Sequence, residues 1–395
     1  MKAGSCSVDI TPKNTVFLAG FDFNRRSTGI RDPLYARALY FNDGKTPLVL
    51  VGLDLIGYFY TDVLRVRQKV KGIVGDNVIV CSTHNHASPD TLGYWGWGLF
   101  WPVGFPLTTG RDEAYMAEIE DRIVSCIETA VRNARECRIV FSRAAMPKDI
   151  SENIRISGKK DDEITIMKAE GMDGKTIAVI ANWPCHAETL YEHNKEVSAD
   201  FPGHFYKEIE KALGGVAIFF EGAAGGMITG NLPDEAPLVE RIPYTEKIGK
   251  ALAGKTLEGL KAGETVESLQ IQVKKNILRL PVTNWRFKLA RALGILKRDI
   301  GSLWSPILET EVCAVSLGPA GIVCIPGELF PSLGFAVKGM MRGKYKFLFT
   351  LANDEISYLM TEEERNDTLY SYERSMSLAA GTGPRILDAV KELVA

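Results

Sequence analysis

Histidine is scarce in this chain, and two of its five copies stand two residues apart, in Thr83-His84-Asn85-His86. In an extended segment, side chains two apart point to the same side, so both imidazoles can line one cavity. His186 follows the strand-like run Ile177 to Asn182, at the end of Asn182-Trp-Pro-Cys-His186. Glu328 stands in Pro326-Gly327-Glu328, just past another apolar run. Imidazole nitrogen and carboxylate oxygen are donors that zinc accepts, and a catalytic site keeps one position open for water. Water held there has a pKa of about 7 rather than about 15.7, which provides hydroxide at neutral pH. Many phosphatases and amidohydrolases share a His-x-His pair, and Pro-Gly-Glu also occurs in plain turns. Taken singly, these motifs leave the reaction open. His193 and His204, each isolated, read as hydrogen-bonded structural residues rather than ligands.

The elements that would carry these residues alternate between strand and helix. Pro47 to Asp54 and Asn77 to Ser82 are continuous apolar runs, as expected of strands buried on both faces. Tyr60 to Gly72, Glu113 to Arg135 and Phe205 to Leu213 read as helices. A hairpin is expected for Ile164 to Lys168 and Thr176 to Asn182 around Asp173-Gly174. Val216 to Phe220, Val312 to Leu317, Ile322 to Ile325 and Phe347 to Leu351 read as further strands. The pattern predicts an α/β fold, a multilayer sandwich of mixed β-sheets flanked by helices. The candidate residues then fall on loops at strand ends, where binding and catalytic groups concentrate.

The 395 residues are 46% apolar and 24% charged, ordinary for a soluble globular chain able to bury a large core. A net charge of −2 argues against nucleic acid as the main partner. Seven cysteines with no C-x-x-C pair read as reduced thiols. With no apolar leader after Met1 and no long uncharged apolar stretch, the expected location is cytoplasmic, with peripheral attachment to a membrane still open.

Taken together, these segments resemble the catalytic domain of the neutral (non-lysosomal) ceramidases, from Gly4 to about Pro384. The resemblance rests on Asp9-Ile10-Thr11-Pro12, on Gly29 to Ala38, and on Thr83-His84-Asn85-His86 with Ser88-Pro89. It continues through Asn182-Trp183 before His186, Ser198-Ala-Asp200-Phe-Pro-Gly203, Pro326-Gly327-Glu328, Asn353 to Thr361, and Tyr372-Glu373. It implies one domain over residues 1–395, with the family's C-terminal β-sandwich absent. It also implies one zinc ion per chain, held by His84, His186, Glu328 and Tyr358, and hydrolysis of an N-acyl amide by zinc-bound hydroxide. His86 would transfer a proton or orient the substrate, Tyr372 would steady the oxyanion, and Arg155 would be a polar anchor near the site. The family's Gly-Asp-x-Ser-Pro-Asn loop, with its serine, is replaced by Ala224-Gly225-Gly226-Met227-Ile228-Thr229-Gly230-Asn231, where Thr229 is at best a shifted hydroxyl. An esterase, lactonase or phosphoesterase on the same centre, or a non-catalytic metal- or lipid-binding protein, therefore stands as an alternative.

Two further segments bear on the substrate. Tyr94 to Trp101 holds three of the six tryptophans, and suits an apolar substrate, a membrane surface or a buried aromatic cluster. From Lys274 to Arg298 there are eight basic residues and no acidic one. Trp285, Leu289, Ala292, Leu293, Leu296 and Ile300 would share one helical face, with Arg286, Arg291, Lys297 and Arg298 off it. Such a helix over 285–300 either lies on an anionic membrane or packs with a solvated basic face. The expected partner is a small-molecule or lipid-like N-acyl substrate. Glu362-Glu363-Glu364-Arg365 reads as a solvated helix start after Thr361.

Overall fold

The structure, a computed structural model, describes residues 1–99 and 104–395. Its centre is a nine-stranded mixed sheet. At one edge Pro47–Leu53 and Val78–Ser82 run parallel; at the other, Thr176–Trp183 and Val216–Glu221 do so too. Antiparallel strands join these pairs, including the expected hairpin of Glu163–Gly171 and Thr176–Trp183. A four-stranded sheet lies against it, ordered Ile271–Pro281, Ile307–Leu317, Ala320–Cys324 and Tyr345–Phe349. Its last two strands are parallel.

The two sheets share one apolar layer in which Phe41, Leu50, Ile180 and Phe220 meet Val315, Ile322, Phe347 and Phe349. Helices Tyr60–Val74 and Glu113–Arg132 cover half of the large sheet's outer face, and Asp200–Leu213 and Leu238–Leu260 cover the other half. Pro331–Met340 and Thr382–Val394 cover the small sheet. The strands covered on both faces are the ones that read as unbroken apolar runs, because neither face meets water.

Two buried asparagines stitch the sheets together. Asn182 donates to the carbonyls of Phe220 and Leu348 (2.9 Å each) and accepts from the Leu348 N–H at 2.8 Å. Asn353 accepts from the Val80 N–H and donates to Glu311, both at 2.9 Å. Glu311 in turn holds Arg67 through two 2.7 Å bonds. Every member of this network is paired, which is the condition for burying it.

The continuous helix expected over 285–300 is not formed. Residues 271–281 are a strand, and the helix spans only Trp285–Ala292. Gly294, at φ 71°, takes the left-handed conformation that ends a helix. Trp285, Leu289 and Leu293 remain exposed, whereas Leu296 and Ile300 turn inward. Arg298 is buried too, bonded to Asp354, so it is no part of a solvated basic face. Among the described residues no helix is long and apolar enough to cross a membrane. At 361–364 the chain forms a capping box between Thr361 and Glu364, and Glu364 is buried rather than solvated.

Candidate metal centre

The loops at the carboxyl ends of the three parallel strand pairs converge, the usual position for a ligand crevice in a mixed or parallel sheet. After Val78–Ser82 the chain turns rather than extends. His84 has φ 56°, so the two imidazoles come together through a left-handed residue and not through strand alternation. The turn is held by N–H donation from Thr83 to the Leu53 carbonyl and from Asn85 to the Leu55 carbonyl, at 2.9 and 3.0 Å. Asn85 reaches the Ser198 carbonyl at 2.7 Å, so the Ser198-to-Gly203 segment underlies the histidine turn. Of the eight non-glycine residues with positive φ among the described residues, seven lie at 84, 191, 200, 227, 351, 353 and 357, around this crevice. Strained backbone concentrates where tertiary structure dictates side-chain position.

His84 Nδ1 lies 2.8 Å from the Ile56 carbonyl, and His186 Nδ1 lies 2.9 Å from the Ile228 carbonyl. A carbonyl can only accept, so both rings carry their proton on Nδ1 and present Nε2. Both Nε2 atoms face Glu328 Oε2, at 3.4 Å from His84 and 3.2 Å from His186. Glu328 lies in register with Tyr358 across a short parallel ladder, Glu328–Leu329 against Tyr358–Leu359. Gly225 backs that ladder so closely that a Cβ there would meet the Glu328 carbonyl oxygen at 2.7 Å.

His84, His86 and His186 bring their ring nitrogens within 4.8 Å of one another. His86 Nδ1 is 3.2 Å from Glu188 Oε2 but poorly aligned, and neither ring nitrogen has a hydrogen-bond partner among the described residues. Arg25, itself buried, bonds the backbone carbonyls of His86 and Ala19 and clamps the turn from behind.

The electrostatics match a cation site. Burial alone would press the His84 imidazolium down, but Glu328, with Glu221 and Glu355 behind it, pushes it up to about 10. His186 is raised to about 9 against its burial, by Glu328, Glu188 and Glu221. Burial would raise Glu328, yet the two histidines hold it well below the usual carboxylate range. Burial pushes Glu221 up to about 8, restrained by His186 and His84. His86 is held well below the ordinary histidine value by burial and then by its two histidine neighbours. Two presented Nε2 atoms, an accepting carboxylate and a surplus of buried acid form a donor set that fits a divalent ion.

Above this floor opens a pocket lined by His84, His86, Glu328, Glu355, Tyr358 and Tyr372, with apolar walls including Phe59, Leu92, Trp95 and Leu296. Burial, then Glu328, raises the Tyr358 phenol well above its ordinary value, and its hydroxyl donates to Met227 Sδ at 3.8 Å. The Tyr372 ring lies edge-on to Tyr358, with centroids 6.1 Å apart. Tyr94 is buried and Trp95 joins the wall, both pinned by Asp90, whose carboxylate accepts the N–H groups of Leu92, Gly93 and Trp95. Phe100 and Trp101 lie outside the described residues.

Arg155 does not reach the pocket. Its Nε donates to Glu373 at 2.7 Å, behind the segment that carries Tyr372. Thr229 lies in a short strand, Ile228–Gly230, paired with Ser151–Asn153, and is not among the pocket-lining residues. The 224–231 loop serves instead to hold His186, since the Ile228 carbonyl accepts both the His186 N–H and its Nδ1–H, each at 2.9 Å. His193 is exposed and His204 half-buried, both outside the cluster. All seven cysteines are free. Sequence reasoning missed Glu188, Glu221, Glu355 and Arg25. The only sequence signals were positional: Glu188 two residues after His186, Glu221 at the end of a strand, and Glu355 in the loop that follows one.

A family model described as neutral/alkaline non-lysosomal ceramidase, N-terminal, matches residues 1–241. Among solved structures, a neutral ceramidase from Pseudomonas aeruginosa is 19% identical, with a TM-score of 0.78 over 99% of this chain and 74% of that one. A ceramidase complexed with C2 is also 19% identical, with a TM-score of 0.82 over 100% of this chain and 74% of its own. At that identity the likeness is one of fold.

Proposed function

This chain belongs to the neutral/alkaline non-lysosomal ceramidase family, and from that premise we propose that it is a zinc-dependent amidohydrolase acting on an N-acyl, lipid-like substrate. The observation that carries the reading is the convergence of His84 Nε2, His186 Nε2 and Glu328 Oε2 at the floor of an apolar-walled pocket. These three groups, with Tyr358 beside Glu328, would hold the ion. When bound, a zinc ion there supplies Lewis acidity and a water acidic enough to act as nucleophile near neutral pH.

The chain's own residues supply the rest. The apolar walls take the acyl chain and exclude bulk water from the scissile bond. Tyr372, half-exposed on the pocket wall, keeps its phenol proton at neutral pH as any tyrosine does and donates to the carbonyl oxygen as charge develops there. His86, with neither ring nitrogen hydrogen-bonded among the described residues and its imidazolium disfavoured, can pass a proton on to the leaving amine rather than hold it. Arg155 sets the Tyr372 segment through Glu373 rather than touching substrate.

An esterase reading is second, favoured by the absence of Thr229 from the pocket lining. An ester's leaving group needs less assistance than an amine. The deciding experiment compares elemental zinc and hydrolysis of N-acyl and ester lipids for the wild type and Glu328→Ala. About one zinc per chain and amide turnover, both lost in the variant, are expected. Full amide turnover by Glu328→Ala with its metal retained would end the proposal. Tyr372→Phe should keep the metal and lose about 100-fold in kcat.

A further inference from the structure

The three histidines of the cluster are held in two different ways. His84 and His186 each have Nδ1 on a backbone carbonyl, whereas neither ring nitrogen of His86 has a hydrogen-bond partner among the described residues. Glu188 comes within 3.2 Å of its Nδ1 without bonding it. The outer torsion of a histidine is broad and roughly two-fold, so an imidazole without a hydrogen bond is aimed only by what packs against it. A group that takes a proton on one nitrogen and gives one up from the other needs both of them free, which excludes the carbonyl anchor used at its neighbours.

The packing comes from residues 19–25. Gly20, at φ 96°, lies so close to the imidazole that a Cβ there would sit 2.3 Å from both its Cγ and its Nδ1, so only glycine fits. Phe21 meets the same ring edge-on, with centroids 4.9 Å apart, a favoured arrangement for aromatic pairs. Phe21 is itself fixed. Tyr191 stands edge-on to it at 5.0 Å, and the Arg25 guanidinium lies 4.9 Å from its centroid. Arg25 also bonds the His86 carbonyl, so one loop grips both the backbone and the ring of His86. The loop is closed by the Leu18 N–H on the Arg25 carbonyl at 2.7 Å, and tied to the histidine segment by the Ala19 N–H on the Ser88 carbonyl at 3.0 Å. Gly20 lines the pocket and Phe21 does not, so Phe21 acts on substrate only through His86.

We propose that Phe21 is a positioning residue: with Gly20 it holds the His86 imidazole turned into the pocket, in line to hand a proton to the leaving group. Resting on the reading of His86 as the proton carrier, this role confines the damage from losing Phe21. A ring free to swing leaves the ion and its ligands in place, so the loss falls on substrates whose leaving group needs a proton.

The zinc-loaded full chain is compared as wild type, Phe21→Ala and Phe21→Tyr on two substrates. One is N-decanoyl aminoethanol, whose amine must be protonated to leave; the other is 4-nitrophenyl decanoate, whose phenolate leaves without a proton. Phe21→Ala should keep its zinc, lose about tenfold or more in kcat on the amide with KM within about twofold, and lose less than about twofold on the ester. Phe21→Tyr, which keeps the ring edge, should restore the amide rate. Equal losses on both substrates, an amide rate unchanged in Phe21→Ala, or loss of its zinc overturns the proposal. Crystal structures of the zinc-loaded wild type and Phe21→Ala give a readout that needs no turnover. A His86 ring that keeps its orientation without Phe21 overturns the proposal as well. A displaced ring in a protein that hydrolyses the ester and no amide would leave the positioning role standing and sink the amidase reading instead.

Discussion

At the floor of the pocket His84 and His186 each have one ring nitrogen tied to a backbone carbonyl, and the loops bearing them are stitched across two sheets by Asn182 and Asn353. Farther out, Trp285 stacks with centroids 6.4 Å apart on Phe105, which packs on the pocket-lining Tyr94, yet Trp285 is 52% exposed, on a helix of two turns. The floor is determined several times over by buried hydrogen bonds, whereas the Trp285 helix is tied at its start, through Asn284 to the Ser375 and Ser377 carbonyls, and its outer face is open. Groups that must meet an ion within tenths of an ångström need the first kind of support. Groups that meet a flexible hydrocarbon chain need only shape and apolar surface.

The sharpest way to break that contrast is at Asn353. Asn353→Ala leaves the buried Val80 N–H unpaired, removes one of the two bonds to Glu311 Oε1, and puts alanine where φ is 63°. We expect a loss of about 2–4 kcal/mol in denaturant unfolding, with weakened metal retention. A change under about 0.5 kcal/mol would mean that the floor is not held from below.

The histidine protons test the floor more gently. In metal-free protein His84 is raised to about 10 and His186 to about 9, above the ordinary value near 6.5. Their contribution to stability is complete below about 6.5 and lost as pH rises through 9 to 10. Metal requires the neutral rings, so binding at pH 8 should release about two protons per ion, and affinity should fall as pH falls. Calorimetry in two buffers of different ionisation enthalpy measures this. No proton release would show that Glu328 does not hold both imidazoliums.

The smallest effect belongs to the Trp285 helix. Trp285→Ala should cost about 1 kcal/mol or less and leave metal content unchanged. KM for a long-chain N-acyl substrate should rise about threefold, as expected for lost apolar contact without lost chemistry. Loss of metal from this variant would erase the distinction between the two regions.

Much of the framework was legible from local pattern. Continuous apolar runs at 47–54 and 77–82 became strands buried on both faces, and the Asp173-Gly174 turn made its hairpin. Those signals depend on neighbours a few residues apart. The helix expected over 285–300 failed because periodicity ignored Gly294 and because Arg298 was needed inside, opposite Asp354, a partner 56 residues away.

For the site, the sequence by itself determined which loops carry nitrogen and oxygen donors, since imidazoles and a carboxylate beside Pro and Gly at strand ends are a local fact. Only the tertiary structure decided how they present. The left-handed turn at His84, the carbonyl of Ile56 that selects its tautomer and the Glu328 carboxylate 142 residues from His186 are brought together by the sheets. The same is true of the acids that surround them. Glu188, Glu221 and Glu355 look like ordinary surface carboxylates in one dimension, because burial and an unanswered oxygen are properties of the fold. The physical reason is range: side-chain type and spacing act over a turn or a strand, whereas charge, desolvation and hydrogen-bond pairing at this site act between segments far apart in the chain.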